Sequence, residues 1–92
     1  MKIKVMDIEY EVERNVRDAL NIGELEERFT DYFLNFDYVF GDYAYGKLRL
    51  KGFNNKQNKN FKPYNDIDSL EDYIKNNCAY DCRHFLLKKV LQ

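Results

Sequence analysis

Three groupings of side chains in this 92-residue chain are of types and spacings that could do chemistry. The first is cationic and aromatic: Tyr43 and Tyr45 precede Lys47, Arg49 and Lys51, with Lys56, Lys59 and Lys62 close behind. Cations at alternate positions of a strand point to one side, where they can hold phosphates while tyrosine rings stack on bases, as a single-stranded nucleic-acid surface requires. The same alternation has a plainer use, because Lys and Arg on an exposed sheet face or edge keep it from pairing with other chains. The second grouping is Cys78, Cys82 and His84, a C-x3-C-x-H cluster with Asp81 beside it. It offers soft ligands to zinc, but ribbon and finger sites need a second ligand pair, and the chain has no further Cys or His. These three are weak metal candidates, so no metal is expected; reduced, structural thiols are the expectation, with a redox-sensing pair as the alternative. The third is His84 as acid or base beside Asp81, Arg83 or Arg49, the makings of a small metal-independent nuclease.

Carboxylates and glycines read more simply. Asp37 and Asp42 stand five apart across a turn, a spacing that suits loop capping more than a divalent-ion site. Gly41, Gly46 and Gly52 match no phosphate-binding loop, and their expected use is geometric, at turns and strand ends. No stretch carries a specific catalytic signature. No catalytic residue and no cofactor are therefore assigned, and a non-enzymatic protein is the expectation.

The cationic residues sit on a mid-chain ribbon, residues 36–53, that reads as a β-hairpin. Leu48 and Leu50 alternate with Lys47, Arg49 and Lys51, which gives a greasy face and a cationic one. Upstream, Lys2 to Met6 and Ile8 to Glu13 alternate in the same way, predicting an N-terminal hairpin that turns near Met6 and Asp7, with a loop over Arg14 to Asp18. Asn21 and Glu24 form a capping box, and Leu25, Phe29, Tyr32, Phe33 and Phe36 continue as one aromatic stripe, predicting a helix that lays that stripe on a sheet. Asn54 to Asn60 has no apolar residue and reads as an exposed, mobile loop. A second capping box, Asp68 to Glu71, opens a short helix ending near Asn76 or Asn77, and Phe85 to Leu91 reads as a last strand. The result is a single α+β domain over residues 1–92. Its expected form is two-layer, an antiparallel sheet of about five strands packed against two helices, in the order strand, strand, helix, strand, strand, helix, strand.

Composition agrees with this. A chain of this length buries about 60 to 65% of the surface its unfolded form exposes, enough to fold alone. Tyr and Phe dominate the apolar residues, so the core is built largely of rings. The net charge of −1 hides a basic middle, residues 37–65, where Lys47, Arg49, Lys51, Lys56, Lys59 and Lys62 face only Asp37 and Asp42. Such a segment attracts an anionic partner even on a slightly acidic protein. No apolar run approaches a membrane span and no targeting segment is evident, which makes the cytoplasm the expected compartment.

The stretch Tyr38 to Phe53, followed by Leu70-Glu71-Asp72-Tyr73-Ile74, Cys78-Ala79-Tyr80-Asp81-Cys82 and Phe85-Leu86-Leu87-Lys88-Lys89, resembles the YutD-like family of Firmicutes. The likeness runs from about residue 8 onward, and the GD-aromatic-x-YG-x-LRLKGF portion is its most specific part. Tyr43 and Ala44 stand where the family has Trp and Gly. The resemblance implies a small α+β bacterial cytosolic protein and assigns no activity. From the residues themselves, the leading expectation is a binding module whose hairpin presents Tyr43, Tyr45, Lys47, Arg49 and Lys51 to RNA or DNA, or to an acidic protein. The alternatives are the nuclease built on His84 and a protein-interaction module.

Overall fold

His84, Phe85, Leu86 and Leu87 are all buried, and an unbroken buried run without alternation belongs to a strand covered on both faces. That strand is the centre of the fold. The computed structural model describes residues 1–77 and 82–90. Over them run β1 (Lys2–Val5), β2 (Ile8–Val16), α1 (Ile22–Arg28), β3 (Tyr38–Ala44), β4 (Lys47–Phe53), α2 (Leu70–Asn77) and β5 (His84–Lys89). The strands form one antiparallel sheet in the order β1-β2-β5-β3-β4, with the C-terminal strand inserted between the two hairpins. This is the α+β arrangement of five antiparallel strands and two helices that the sequence patterns predict. No helix among the described residues is long and apolar enough to cross a membrane.

Each helix takes its own face of the sheet, so the expected two-layer form is corrected to three layers, helix on sheet on helix, because alternate residues of the central strands are buried on both sides. On one, Leu25 of α1 and Phe29 join Val5, Tyr10, Val39, Leu48, Phe85 and Leu87. On the other, Leu70 of α2 packs with Phe40, Phe53 and Leu86, with Tyr73 and Ile74 alongside. Alternate residues of β3, β4 and β5 thus serve different cores, and both sides of the mid-chain ribbon are partly covered. Arg14 of β2 pairs with Glu71, tying α2 to the sheet.

Three local expectations change. The segment Arg14 to Val16 is strand and not loop, because β2 passes its break in alternation with a bulge between Val12 and Arg14 and then pairs on with β5. The first helix stops at Arg28. Phe29 (φ −76°, ψ 130°) and Thr30 (φ −127°, ψ 171°) are extended, and a 3-10 turn covers Asp31–Asn35. Threonine is a poor helix former, and a 3-10 turn also brings side chains three apart together, so the aromatic stripe survives without the α-helix. The third is the loop after β4. Asn54 is 0% exposed, and the segment is held by amide side chains as described below.

The N-terminal hairpin turns where predicted, with Met6 (φ 50°) and Asp7 (φ 65°) both in the left-handed region that a two-residue hairpin turn needs. Asn21 caps α1 through its Oδ1, which accepts from the Glu24 N–H at 3.0 Å.

Tyr10 supplies a stability prediction. Its ring is 0% exposed and meets Phe29 edge-on at 5.9 Å, and no described residue bonds its hydroxyl. Burial pushes its pKa up from 10.0 to about 12. The unfolded chain therefore loses this proton first as pH climbs: stability is intact below pH 10.0 and declines as pH rises towards about 12. Tyr10→Phe keeps the ring, so at neutral pH it should lie within about 0.5 kcal/mol of the parent or above it. Urea unfolding should show a flatter alkaline limb for the variant. A loss beyond about 1 kcal/mol would mean that the hydroxyl is bonded in solution.

Candidate binding surface

The mid-chain hairpin turns at Tyr45 (φ 53°) and Gly46 (φ 75°), and this two-residue turn sets the register: Ala44 faces Lys47, Tyr43 faces Leu48 and Asp42 faces Arg49. Strand alternation then decides where each expected site residue goes. Tyr43 shares the side of its partner Leu48. Its hydroxyl donates to the Ala19 carbonyl at 3.2 Å, and the Arg83 guanidinium lies 4.5 Å from its ring centre. Burial first, and Glu24 second, raise its pKa. Tyr43 is thus separated from the cations it was expected to accompany. Tyr45 at the tip is fully open to solvent at 104% relative exposure.

The three cations differ from one another. Lys47 is exposed and has no acidic partner among the described residues. Arg49 meets Asp42 with two bonds, Nε to Oδ1 at 3.0 Å and Nη2 to Oδ2 at 2.6 Å, and Nη2 also reaches the Asn77 carbonyl at 3.3 Å. The Asp42 side chain is 2% exposed and that of Arg49 46%, so the carboxylate is internal and the guanidinium half outside. Bonding to Asp42 raises the arginine's pKa. Lys51 lies along α2, its ammonium 5.1 Å from the Phe53 ring centre and 5.4 Å from that of Tyr73, and burial lowers its pKa. The expectation that all three cations turn to open water holds in full for Lys47 alone: the Arg49 guanidinium is half outside but bonded to a buried carboxylate, and Lys51 is half covered by rings.

Asp42, weighed above as a metal ligand, is taken up by Arg49. Asp37 caps the loop after β4, its Oδ2 accepting from the Asn55 N–H at 2.9 Å. His84 is buried beside Phe40, with Nδ1 3.1 Å from the Cys82 carbonyl and Nε2 buried without a described partner. With 9% of its surface exposed, it presents little of its ring to a substrate. Cys82 is disulfide-bonded and not the reduced thiol expected, and a bonded sulfur has no thiolate to give a metal. Cys78 and Asp81 lie outside the described residues. Among the described residues no three metal-ligating side chains cluster.

A second surface was not foreseen. Asn54 Oδ1 accepts from the Asp37 N–H at 2.9 Å and from Asn58 Nδ2 at 3.0 Å, and its Nδ2 donates to the Asn60 carbonyl at 3.3 Å. Asn65 Oδ1 accepts from the Lys62 N–H at 2.8 Å while its Nδ2 shares the same Asn60 carbonyl. Asparagine carries donor and acceptor together, so a few of them can fix a loop that no apolar side chain anchors. The expected mobile loop is instead a bonded one, and Lys56 is fastened to Asp68 at 3.0 Å. Beside it lies a depression of about 250 Å3, lined by Tyr32, Phe36, Lys59, Lys62 and Tyr64 together with asparagine amides. Lysines spaced three apart in an Asn-rich segment, with an aromatic just after, were its visible signal.

Comparison with known proteins places the chain. Residues 4–88 match the family described as "Putative antitoxin YutD-like". A Bacillus subtilis (strain 168) protein named "Putative antitoxin YutD" is 35% identical over 88 residues, covering 96% of this chain and 97% of that protein. The solution NMR structure of protein yutD from B. subtilis superposes with a TM-score of 0.82 at 34% identity, covering 100% of this chain and 84% of that one. With sequence and fold in agreement along its length, the chain belongs to the YutD-like family.

Proposed function

We propose that this protein is a non-enzymatic binding module that docks the tip of its mid-chain hairpin onto an acidic face of a partner protein. The observation that carries this is Tyr45, fully exposed on a left-handed backbone at the turn, with Lys47 beside it and the half-exposed Arg49 held at a fixed angle by Asp42. Tyrosine and arginine are the residues on which small interfaces concentrate their energy, and a guanidinium already oriented by a carboxylate loses little freedom on binding. Affinity for nucleic acid grows with the number of phosphates neutralised. On this ribbon one lysine has no acidic partner among the described residues, one arginine is bonded to a buried carboxylate and one lysine is half covered, which suits a protein contact better than a phosphate track. The word antitoxin in the relative's name is carried to this chain as part of the proposal: the partner so engaged is a toxin.

A glutamate-rich peptide serves as the probe, titrated into labelled protein at low salt and followed by amide shifts. The expected result is a salt-sensitive perturbation centred on residues 44–49, weakened about tenfold by Tyr45→Ala and by Lys47→Glu. A single-stranded oligonucleotide perturbing the same amides more strongly than the peptide would favour nucleic acid at this hairpin. Silence of the tip toward both would remove the docking role.

A further inference from the structure

We propose that the depression between the 3-10 turn and the asparagine-bonded loop is a nucleotide site, the base lying against Tyr32 and Tyr64 and the phosphate held by Lys59 and Lys62. None of the hairpin residues above lines this surface, although the Lys51 ammonium lies 6.0 Å from the Tyr64 ring centre. Tyr32 and Tyr64 are 61% and 73% exposed, two of the few large rings left outside among the described residues, and both line the same depression. Exposed rings that converge on one concavity offer π-faces to a planar ligand, and base stacking on aromatics tolerates any base. Tyr32 is itself oriented by T-shaped contacts with Phe33 at 5.1 Å and with Phe36 at 5.2 Å.

The charge follows the same logic. No carboxylate is found among the described lining residues. Lys56 has Asp66 and Asp68 as partners, whereas Lys59 and Lys62, from the same segment, have no acidic partner among the described residues. Two ammonium groups on one rim without internal neutralisation are placed for an anion. The backbone that carries them is fixed: the Asn60 N–H donates to Asn58 Oδ1 at 2.7 Å and the Lys62 N–H to Asn65 Oδ1 at 2.8 Å. A preformed rim spares the ligand much of the ordering cost of binding. The exposed Asn35 amide in the lining offers a donor and an acceptor to a base edge. At about 250 Å3 the depression falls under the usual range for small-molecule pockets, roughly 300–1,000 Å3. One nucleotide unit is the scale it suits, as a free mononucleotide or as one residue of a single strand.

The test titrates the full chain with AMP, with adenosine and with an octaadenylate at low salt, read by amide shifts. AMP should move the amides of residues 32–36 and 59–65 and leave residues 44–49 unmoved. Tyr32→Ala and Tyr64→Ala should each weaken AMP about tenfold, and Tyr64→Phe, which keeps the ring, should bind as the parent does. Lys59→Gln with Lys62→Gln should weaken AMP while leaving adenosine unchanged. All these side chains are exposed or at the rim, so an unaltered spectrum of the free variants establishes folding. A strand as the natural source is indicated if the octaadenylate binds about tenfold tighter than AMP, and a free nucleotide if the two are equal. The proposal is overturned if millimolar AMP and the octaadenylate both leave the depression unperturbed. It is equally overturned if inorganic phosphate or phosphotyrosine binds there as tightly as AMP, or if the tyrosine-to-alanine changes have no effect.

Discussion

Asn54→Ala should destabilise the protein by about 2–4 kcal/mol, a large share of the roughly 5–15 kcal/mol that holds a small domain together. The side chain is 0% exposed and makes three bonds, to the Asp37 N–H, to Asn58 Nδ2 and to the Asn60 carbonyl. Each buried group left unpaired costs about 1–3 kcal/mol. The costs do not simply add, because Asn58 is half-buried and Asn60 exposed, so water can replace part of what they lose. The Asp37 N–H is the group with least recourse, since it lies at the foot of β3 beside the loop. For a domain of this size the effect corresponds to a drop in Tm on the order of 10–25 °C. Hydrogen exchange would locate it: Asp37 and Asn55 amides should lose protection first, ahead of the β5 amides. Asn54→Asp is the sharper comparison. It keeps the oxygen that accepts from Asp37 and Asn58, loses the donor to Asn60 and sets a negative charge near the Asp37 carboxylate, so it should cost at least as much as alanine. A change below about 0.5 kcal/mol for Asn54→Ala would mean that the loop is held by its backbone bonds alone.

Much of the architecture was legible because it rests on local pattern. Alternation marked β1, β2 and β4, the capping box at Asn21 and Glu24 placed the start of α1, and the hydrophobic run after Arg83 marked β5. What alternation cannot reveal is which face of a strand another element covers. Lys51 reads as solvent-facing until α2 brings Tyr73 over it. The end of α1 was hidden for a different reason, since side chains three apart satisfy an α-helix and a 3-10 turn alike. Part of the candidate site was within reach. Once the turn is set at Tyr45 and Gly46, counting outward puts Asp42 opposite Arg49 and Tyr43 opposite Leu48, and opposite charges at facing positions pair. The asparagine loop was out of reach, because a run of Asn and Lys looks the same whether its amides bond to water or to one another.

The glycines give the largest expected effect of a single methyl group. Gly46 is a turn residue as predicted, but Gly41 and Gly52 lie inside strands, where their use is to admit a ring. A Cβ on Gly41 would meet three atoms of the Phe85 ring within 2.7 Å. Gly41 and Phe85 face each other across β3 and β5, and Phe85 is 0% exposed at the centre of the sheet, so neither strand nor ring has room to yield. Gly41→Ala should therefore cost about 3 kcal/mol or more, at the upper end of overpacking penalties, and soluble yield should fall with it. Gly52 has the same relation to Phe36, with three ring atoms within 2.5 Å of the point where a methyl carbon would stand. Phe36 is only half-buried and stands at the edge of the depression, where it can swing outward. Gly52→Ala should cost about 1–2 kcal/mol and shift the amides around Tyr32. The decisive comparison is Gly41→Ala combined with Phe85→Leu, which trades the rigid ring for a smaller side chain. If ring collision is the cause, the double variant should be more stable than the sum of the two single losses predicts, by about 1–3 kcal/mol in urea unfolding. Additive losses would instead assign the cost to the strand backbone, and equal penalties at Gly41 and Gly52 would show that burial of the opposing ring does not set the penalty for the added methyl group.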